Sequence, residues 1–371
     1  MTTIISGTSG LTFPDNSTQA VGFYGFKNRI INGAMVIDQR NAGAAVAVTG
    51  NTGQMSVDRF LTTVFGSGTG RFTAQQSSTV PSGFINSLSA TVTTADASPT
   101  SAYAYSLAQI IEGLNVTDLG WGAAGAATVT LSFWVRSSVT GTFPVVLMNG
   151  ALDRAYGATY TISSANTFEY KTITIAGDTS GTWLKTNSAG INIQFGLGGG
   201  SARTVAAGWQ ANAGATTQTN VTGCTQLIAT NGATFYITGV QLEKGSTATS
   251  FDYRPYGTEL ALCQRYCIRY GGNTPYETFG SGLSYITTGA WVSINLPVEM
   301  RSTPSVETAS TLSILNGAGS NLSATSLVIG YSGSKSLGLL VGAASGLTAG
   351  QATLLTAFNS TSAKLVFSAE L

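Results

Sequence analysis

Apolar and polar residues alternate along many short segments of this chain, and residues 128–136 give the clearest example. One face of that segment would carry Val129, Leu131, Phe133 and Val135, and the opposite face would carry Ser132, Trp134 and Arg136. Successive side chains of a β-strand point to opposite faces of a sheet, so this period of two predicts a strand with one buried face.

Similar patterns predict strands along most of the chain. Candidate strands cover 29–37 (broken near an Asn-Gly pair), 170–175, 191–195 and 233–242, and beyond residue 272 they cover 284–286, 290–296, 326–329 and 363–367. Residues 103–111 fit a helical turn or a strand equally well. Many short alternating strands, joined by loops rich in Gly, Asn and Ser, predict an all-β protein with a jelly-roll sandwich and a smaller C-terminal β-domain.

The length of 371 residues exceeds one typical core, so more than one domain is expected. We predict an N-terminal segment at 1–26, a sandwich at 27–255, a linker helix at 256–271 and a C-terminal β-domain at 272–371. The N-terminal segment alternates short apolar pairs with Gly, Ser and Pro, which is too little for a core of its own. We expect it to be extended and held by a partner.

One segment, 257–270, breaks the β pattern because it contains good helix formers and ends at Gly271-Gly272. A spacing of 3, 4 and 3 places four of its residues on one helical stripe: Leu260, Cys263, Cys267 and Tyr270. Two interpretations stay open. The helix is either a linker that lies on its own domain or one member of a short three-chain bundle with that stripe as its seam.

Composition narrows the function classes. Charged residues make up only 9% of the chain, hydrophobic residues make up 43%, and the net charge is +1. A chain with so little charge has no field to attract nucleic acid or anionic lipid, and a surface of Ser, Thr, Asn and Gln indicates strands that pack against copies of themselves. No apolar run is long enough for a membrane span, and no secretory signal is expected at the start. Three cysteines suggest reduced thiols and synthesis in a cytoplasm.

Catalytic chemistry has little support in the sequence. The chain contains no histidine, which excludes Ser-His-Asp and Cys-His arrangements and histidine-based metal sites. No phosphate-binding glycine motif occurs, and the carboxylates are scattered without a local pair. We therefore predict a protein that is not an enzyme and that uses no cofactor and no metal.

Sugar binding requires fewer specialised side chains than catalysis, because an aromatic face can stack on the apolar side of a pyranose while polar groups bind its hydroxyls. All five tryptophans are candidates, together with two further residues: Trp121, Trp134, Trp183, Trp209, Trp291, Tyr156 and Arg136. From this set we select Trp183, Trp209 and Trp121 as the candidate ligand-binding residues. The alternative for each tryptophan is packing in a core or an interface.

Several motifs resemble those of tailed-bacteriophage tail-fibre and tail-associated proteins. Segment 28–40 (NRIINGAMVIDQR) resembles their opening strand, 239–249 (GVQLEKGSTAT) their closing strand, and 254–266 (RPYGTELALCQRY) the junction that follows. The stretch 131–138 (LSFWVRSS) is also similar. Segment 9–19 resembles a short attachment or shaft segment, and 296–304 and 367–371 resemble parts of their C-terminal tip domains. The likeness spans nearly the whole chain.

The resemblance implies a jelly roll similar to carbohydrate-binding modules at 27–255, with its opening and closing strands side by side. In that wider class a structural calcium often lies there, and Ala34 stands where an acidic residue is frequent. It also implies a homotrimer in a virion tail, partner tail or baseplate proteins at the N-terminal segment, and contact with host surface polysaccharide. The expected function is virion structure with host recognition, with the glycan contact made by loops of the jelly roll or by the distal domain. The alternatives are an assembly-only connector or decoration fibre and a glycan-degrading tail enzyme.

Overall fold

The computed structural model describes residues 26–50, 52–66, 68–212, 214–272 and 274–371, together with three short strands among the first 25 residues. Those strands, β1 (Ile4–Ser6), β2 (Gly10–Thr12) and β3 (Thr18–Gln19), pair in the order β1-β2-β3. The rest of the predicted attachment segment lies outside the described residues. In the part of the chain that is described, no helix is long and apolar enough to cross a membrane.

The predicted all-β fold is confirmed, and its larger part is a jelly-roll sandwich. Its strands are β4 (Val46–Val48), β5 (Thr52–Val57), β6 (Phe60–Phe65), β7 (Arg71–Ser77), β8 (Ser87–Thr94), β9 (Ala104–Glu112), β10 (Val129–Ser137), β11 (Gly141–Asn149), β12 (Arg154–Ile162), β13 (Glu169–Ile175), β14 (Ala189–Gly199), β15 (Thr204–Val205), β16 (Gly208–Ala211), β17 (Asn220–Val221) and β18 (Thr234–Lys244). Short 3-10 helices occupy Gly113–Leu119, Ser201–Arg203 and Leu227–Ala229. The undecided segment 103–111 is therefore a strand, β9.

Two sheets face each other across one core. The six-stranded sheet has the order β13-β10-β18-β8-β7-β4, and the seven-stranded sheet has the order β16-β12-β11-β14-β9-β6-β5. The predicted apolar face of β10 is buried and packs in one cluster with residues of β11 and β14 such as Leu147 and Phe195. Trp134 and Arg136, on the other face of β10, remain half-buried on the outside of the six-stranded sheet. Alternation thus decides which side chains of β10 face the core and which face outwards.

The prediction of a strand at 29–37 is wrong. Asn32 and Met35 adopt left-handed backbone angles, which interrupt an extended chain. The Asn32 side chain takes the place of a strand partner, because its amide donates to the carbonyl of Ile37 at 2.8 Å and its oxygen accepts from the Ile37 N–H at 3.0 Å. The segment still lies beside β18, since the Val240 N–H donates to the Gly33 carbonyl at 3.0 Å. The opening and closing segments are neighbours, as the resemblance implies.

The linker helix is shorter than predicted. Helix α1 (Tyr256–Gln264) ends before Cys267, and strand β19 (Cys267–Gly271) follows. Cys267 and Tyr270 pair with the chain's last strand, so a single helical stripe through Leu260, Cys263, Cys267 and Tyr270 does not form. Leu260 and the fully buried Cys263 pack in a cluster with Ile31, Ile37 and Tyr266 of the same chain. Only Leu260 and Cys263 therefore lie on a helix that packs on its own chain, and Cys267 and Tyr270 belong to a strand instead; the trimer remains a prediction.

The smaller C-terminal domain is built on a closed barrel. Its strands are β20 (Thr278–Ile286), β21 (Gly289–Asn295), β22 (Ser305–Ser310), β23 (Ser313–Leu315), β24 (Asn321–Ser332), β25 (Ser336–Ala343), β26 (Ala352–Thr356) and β27 (Lys364–Ser368). The barrel closes in the order β20-β21-β25-β24-β23-β26, and β19-β27-β22 form a separate sheet. Closure pairs the edges of the barrel sheet, and a second apolar core fills the domain.

Buried and partly buried polar contacts join the two domains. Arg40 of the sandwich donates to Glu307 of β22 at 2.9 Å, and Arg265 at the end of α1 donates twice to Glu112 of β9, at 2.9 and 2.6 Å. The Tyr266 hydroxyl also donates to Glu112, at 2.6 Å. Burial alone would raise the pKa of Glu112, but the hydrogen bonds from Arg265 and Tyr266 hold that pKa below its ordinary value.

Candidate functional site

The three candidate tryptophans form one cluster. The ring centroid of Trp121 lies 4.7 Å from that of Trp183 and 5.5 Å from that of Trp209, with the rings almost perpendicular in both pairs. Trp121 and Trp183 are only 5% and 8% exposed. Edge-to-face contacts of this kind are typical of aromatic packing. The structure brings the predicted residues together, but mostly inside the sandwich.

Their indole N–H groups are also used within the fold. Trp121 donates to the Ala127 carbonyl at 2.8 Å, Trp183 to Ser180 at 3.1 Å and Trp209 to Ala176 at 2.7 Å. Buried polar groups require such partners, so these bonds fit a structural role. The half-buried Trp209 leaves part of its ring at the surface. Ligand binding by these tryptophans remains a prediction, and the geometry favours packing.

A different set of aromatic residues lines a groove on the outer face of the six-stranded sheet. The groove has a volume of about 450 Å³. Five aromatic side chains contribute to its lining: Phe84, Trp134, Tyr170, Phe251 and Tyr253. We call this surface the sandwich groove. Its polar lining consists of Ser132, Thr249 and Ser250, and none of its lining residues is charged.

One wall of the sandwich groove follows from strand register. Trp134 of β10 lies directly opposite Tyr170 of β13, so the two side chains share the outer face of the sheet. Their ring centroids are 5.3 Å apart and the ring planes meet at 46°. Tyr170 is 43% exposed, which leaves a large part of its ring accessible to a ligand.

The opposite wall comes from two distant segments. Phe84 precedes β8, whereas Phe251 and Tyr253 follow β18; the centroid of Phe84 lies 5.3 Å from that of Phe251 and 5.6 Å from that of Tyr253. The Tyr253 hydroxyl donates to the Gly83 carbonyl at 2.6 Å, which fixes its ring beside Phe84. Burial raises the pKa of this hydroxyl above its ordinary value.

Gly239 forms the floor between the two walls. Its φ of +61° lies in the left-handed region, where β18 shifts register against β10. A Cβ at this position would lie 2.7 Å from the Phe84 ring and 3.2 Å from Cδ1 of Trp134. Only a residue without a side chain leaves room for both rings, so a glycine is required between the two walls of the groove.

Sequence reasoning placed Trp134 on the outer face of its strand and counted it among the candidate tryptophans, but did not keep it in the final set of three. The signal available was its place opposite a second aromatic residue in a neighbouring strand. The remaining members, Phe84, Phe251 and Tyr253, lie in loops whose approach depends on the tertiary fold. No pattern along the chain could have joined them to Trp134.

Two observations concern metal-ligating and acidic side chains. Among the residues that the structure describes, no three His, Cys, Asp or Glu side chains are grouped as they would be to hold a metal ion. The buried Glu243 lies close to the sandwich groove, but its carboxylate accepts from the Thr249 N–H at 2.8 Å, from the Thr249 hydroxyl at 2.7 Å and from the Gln241 amide at 2.8 Å. These bonds hold the loop that carries Thr249, which is a structural task.

The chain is thus an all-β protein with a jelly-roll sandwich and a barrel domain. No family model and no curated protein matches its sequence. Among solved structures, it is similar to the enzymatically active domain of bacteriophage CBA120 tailspike protein 4, with 13% identity, a TM-score of 0.31, and coverage of 59% of this chain and 22% of that one. The chain therefore matches less than a quarter of that tailspike structure.

Two carbohydrate-binding modules are similar as well. The family 11 module from Clostridium thermocellum, in complex with a mixed-linked tetrasaccharide, has 11% identity and a TM-score of 0.28 over 54% of this chain and 99% of its own. The xylan-binding CBM22-1 domain of Paenibacillus barcinonensis Xyn10C has 10% identity and a TM-score of 0.27 over 56% and 99%. These likenesses concern the fold alone.

Proposed function

We propose that this chain is a non-enzymatic structural protein of a phage tail fibre, and that its sandwich groove binds a glycan of the host surface. The observation that carries the glycan part is the groove itself, an uncharged cleft of about 450 Å³ lined by five aromatic side chains. Clefts with apolar walls and a few polar groups are the usual form of a small-ligand site.

The chemistry of the groove fits a neutral sugar. The faces of Trp134 and Tyr170 can stack on the C–H side of a pyranose, and the exposed hydroxyl of Ser250 can exchange hydrogen bonds with its hydroxyls. An anionic ligand would need a free cation in the lining; none of the lining residues is charged, and the Lys27 ammonium beside them already donates to the Thr249 hydroxyl. The expected ligand is therefore an uncharged stretch of polysaccharide.

The virion part of the proposal rests on the sequence. The opening, closing and junction motifs resemble those of tail-fibre proteins, and a charge content of 9% suits a chain that assembles with copies of itself. We infer a homotrimer in the virion tail, made in the host cytoplasm and joined to other tail or baseplate proteins through residues 1–26.

The test is binding of full-length protein to host cells and to their extracted surface polysaccharide, followed by titration calorimetry. Trp134→Ala and Tyr170→Ala should each weaken binding by about tenfold or more, because truncating an aromatic anchor commonly costs about 2 kcal/mol. The matched control is Tyr256→Ala, which removes another exposed tyrosine outside the groove. Equal binding by all three variants and the wild type would refute the groove as the site.

The same preparation separates the alternatives. A protein that binds neither cells nor polysaccharide, yet joins other tail proteins, would be an assembly connector or decoration fibre. Release of new reducing ends or loss of polymer viscosity would make it a glycan-degrading enzyme. Mass measurement in solution tests the trimer.

A further inference from the structure

A second aromatic surface lies on the outer wall of the barrel, in the other domain. Tyr285 of β20, Trp291 of β21 and Tyr331 of β24 form a continuous row. The centroid of Trp291 lies 5.0 Å from that of Tyr331, with ring planes at 29°, and 6.1 Å from that of Tyr285. Tyr331 is 71% exposed and Tyr285 is 42% exposed, so both outer rings meet solvent.

Glycines on the barrel strands make room for these rings. A Cβ at Gly330 would lie 2.5 Å from the Trp291 ring, and a Cβ at Gly289 would lie 2.7 Å from the Tyr285 ring. The rings therefore lie against bare backbone, which supports them from below.

Hydroxyl groups border the row. Ser281 and Ser293 are exposed and lie opposite each other on β20 and β21, in the register next to Trp291. Within the described chain, no hydrogen bond is made by the side-chain hydroxyls of Ser281, Ser293, Tyr285 or Tyr331, which leaves four donors and acceptors for a ligand. We call these four residues and Trp291 the barrel patch.

Charge is absent from this wall. The six barrel strands contain no Lys, Arg, Asp or Glu. A ligand of the barrel patch is therefore neutral, offers an apolar face to the rings, and carries hydroxyls for the four free side-chain hydroxyls. A pyranose meets all three conditions.

We propose that the barrel patch is a second binding site for neutral glycan, separate from the sandwich groove. The proposal takes its ligand class from the proposed function, but it rests on different residues in a different domain. A second copy of this chain fits the patch less well. A dry interface between two copies would have to supply partners for the four hydroxyls, whereas a sugar brings its own.

The experiment uses fluorescently labelled full-length protein on an array of neutral hexose and N-acetylhexosamine oligosaccharides, with titration calorimetry on the strongest binder. Four variants are compared with the wild type: Trp134→Ala for the groove, Trp291→Ala and Tyr331→Ala for the patch, and Phe358→Ala as the control. Phe358 is an exposed aromatic residue of the same domain whose ring contacts Tyr276. Tyr331→Ala removes a largely exposed ring, so it tests the patch even where Trp291→Ala impairs folding.

The proposal expects that binding to some glycans survives Trp134→Ala. Binding to those same glycans should fall about tenfold in the separate variant Tyr331→Ala, as for loss of a binding anchor, and should be unchanged in Phe358→Ala. If every signal is lost with Trp134→Ala and none with Tyr331→Ala, the patch is refuted and the groove stands. The reverse pattern refutes the groove and keeps the patch. A Tyr331→Ala variant with unchanged binding but a lower mass in solution would overturn the proposal in favour of a second copy, and a wild type that binds no glycan would refute both sites.

Discussion

Glu370 connects the two domains through two arginines of the sandwich, and its replacement by glutamine is a direct test of that junction. One carboxylate oxygen accepts from Arg59, and the other accepts from Arg40 at 3.3 Å. The side chains of Arg59 and Arg40 are only 2% and 7% exposed, and that of Glu370 is 12% exposed. The variant Glu370→Gln keeps the size of the side chain and removes its charge.

The expected loss of stability follows from the partners that each arginine keeps in the Glu370→Gln variant. Arg40 keeps Glu307 as an ion-pair partner at 2.9 Å, whereas Arg59 keeps only the Ile110 carbonyl and the ring of Tyr266, whose centroid lies 3.5 Å from its Cζ. Breaking a buried ion pair by removing one partner costs about 3–5 kcal/mol. Since glutamine can still accept one hydrogen bond, we expect a loss at the lower end, about 3 kcal/mol in the free energy of unfolding.

The assay is urea unfolding followed by tryptophan fluorescence, with Glu299→Gln as the matched control. Glu299 pairs with Lys335 at 3.6 Å in the same domain, but their side chains are 54% and 74% exposed. Such a surface pair is worth about 0–1 kcal/mol. Glu370→Gln should therefore shift the unfolding midpoint to clearly lower urea than Glu299→Gln does. Equal, small losses for both variants would refute the idea that the junction is stabilised by its buried charges.

Three further predictions concern single buried groups. Trp183→Ala should cost about 3–5 kcal/mol in the free energy of unfolding, because it empties a buried site, and it should leave glycan binding by the folded fraction intact; an unchanged stability with lost binding would make Trp183 a ligand residue. Burial raises the pKa of Asp58 from its ordinary 3.8 to about 6, so the folded protein holds this proton more tightly than the unfolded chain does. Relative to Asp58→Asn, the wild type should lose about 3 kcal/mol of stability as pH rises from about 4 to above 6, and parallel stability curves would refute the shift. In the native protein a disulfide reagent should label Cys224 alone, since Cys263 and Cys267 are fully buried and burial raises their thiol pKa values; three labelled thiols without urea would contradict the burial.

Much of the fold could be predicted from the sequence where a segment's own pattern decides its structure. The period of two in 128–136 defines both the strand β10 and its buried face, because half of the side chains must leave water together. The strands β13, β14 and β18 were found in the same way, and so were parts of the barrel strands β20, β21 and β24; β23, β25 and β26 were missed. The structure of these segments depends on which side chains are buried, and the alternation of apolar and polar residues indicates that directly.

Where side chains replace backbone partners, the same reasoning failed. Segment 29–37 has the composition of a strand, yet the Asn32 side chain bonds both the N–H and the carbonyl of Ile37, and the Gln109 side chain bonds Ile31 on both of its backbone groups. The early end of α1 is a similar case, because residues Cys267–Gly271 form a strand that pairs with β27, more than 90 residues away in sequence. Long-range pairing can override a helical pattern that is short.

The candidate sites depend on the fold even more strongly, and the distribution of charge explains why they were hard to see. With so few charges in the chain, several of them lie at the junction between the domains, where Arg40, Arg59, Glu112, Arg265 and Glu370 pair with one another or with neighbours. The two candidate surfaces, by contrast, carry no charged side chain. Their signature is instead a set of aromatic rings seated against glycines, at Gly239 in the sandwich and at Gly289 and Gly330 in the barrel. A glycine beside an aromatic residue of a strand has two possible meanings in the sequence, because it can weaken the strand or leave space for an aromatic ring of a neighbouring strand. Only the pairing of the strands shows which ring lies against each glycine.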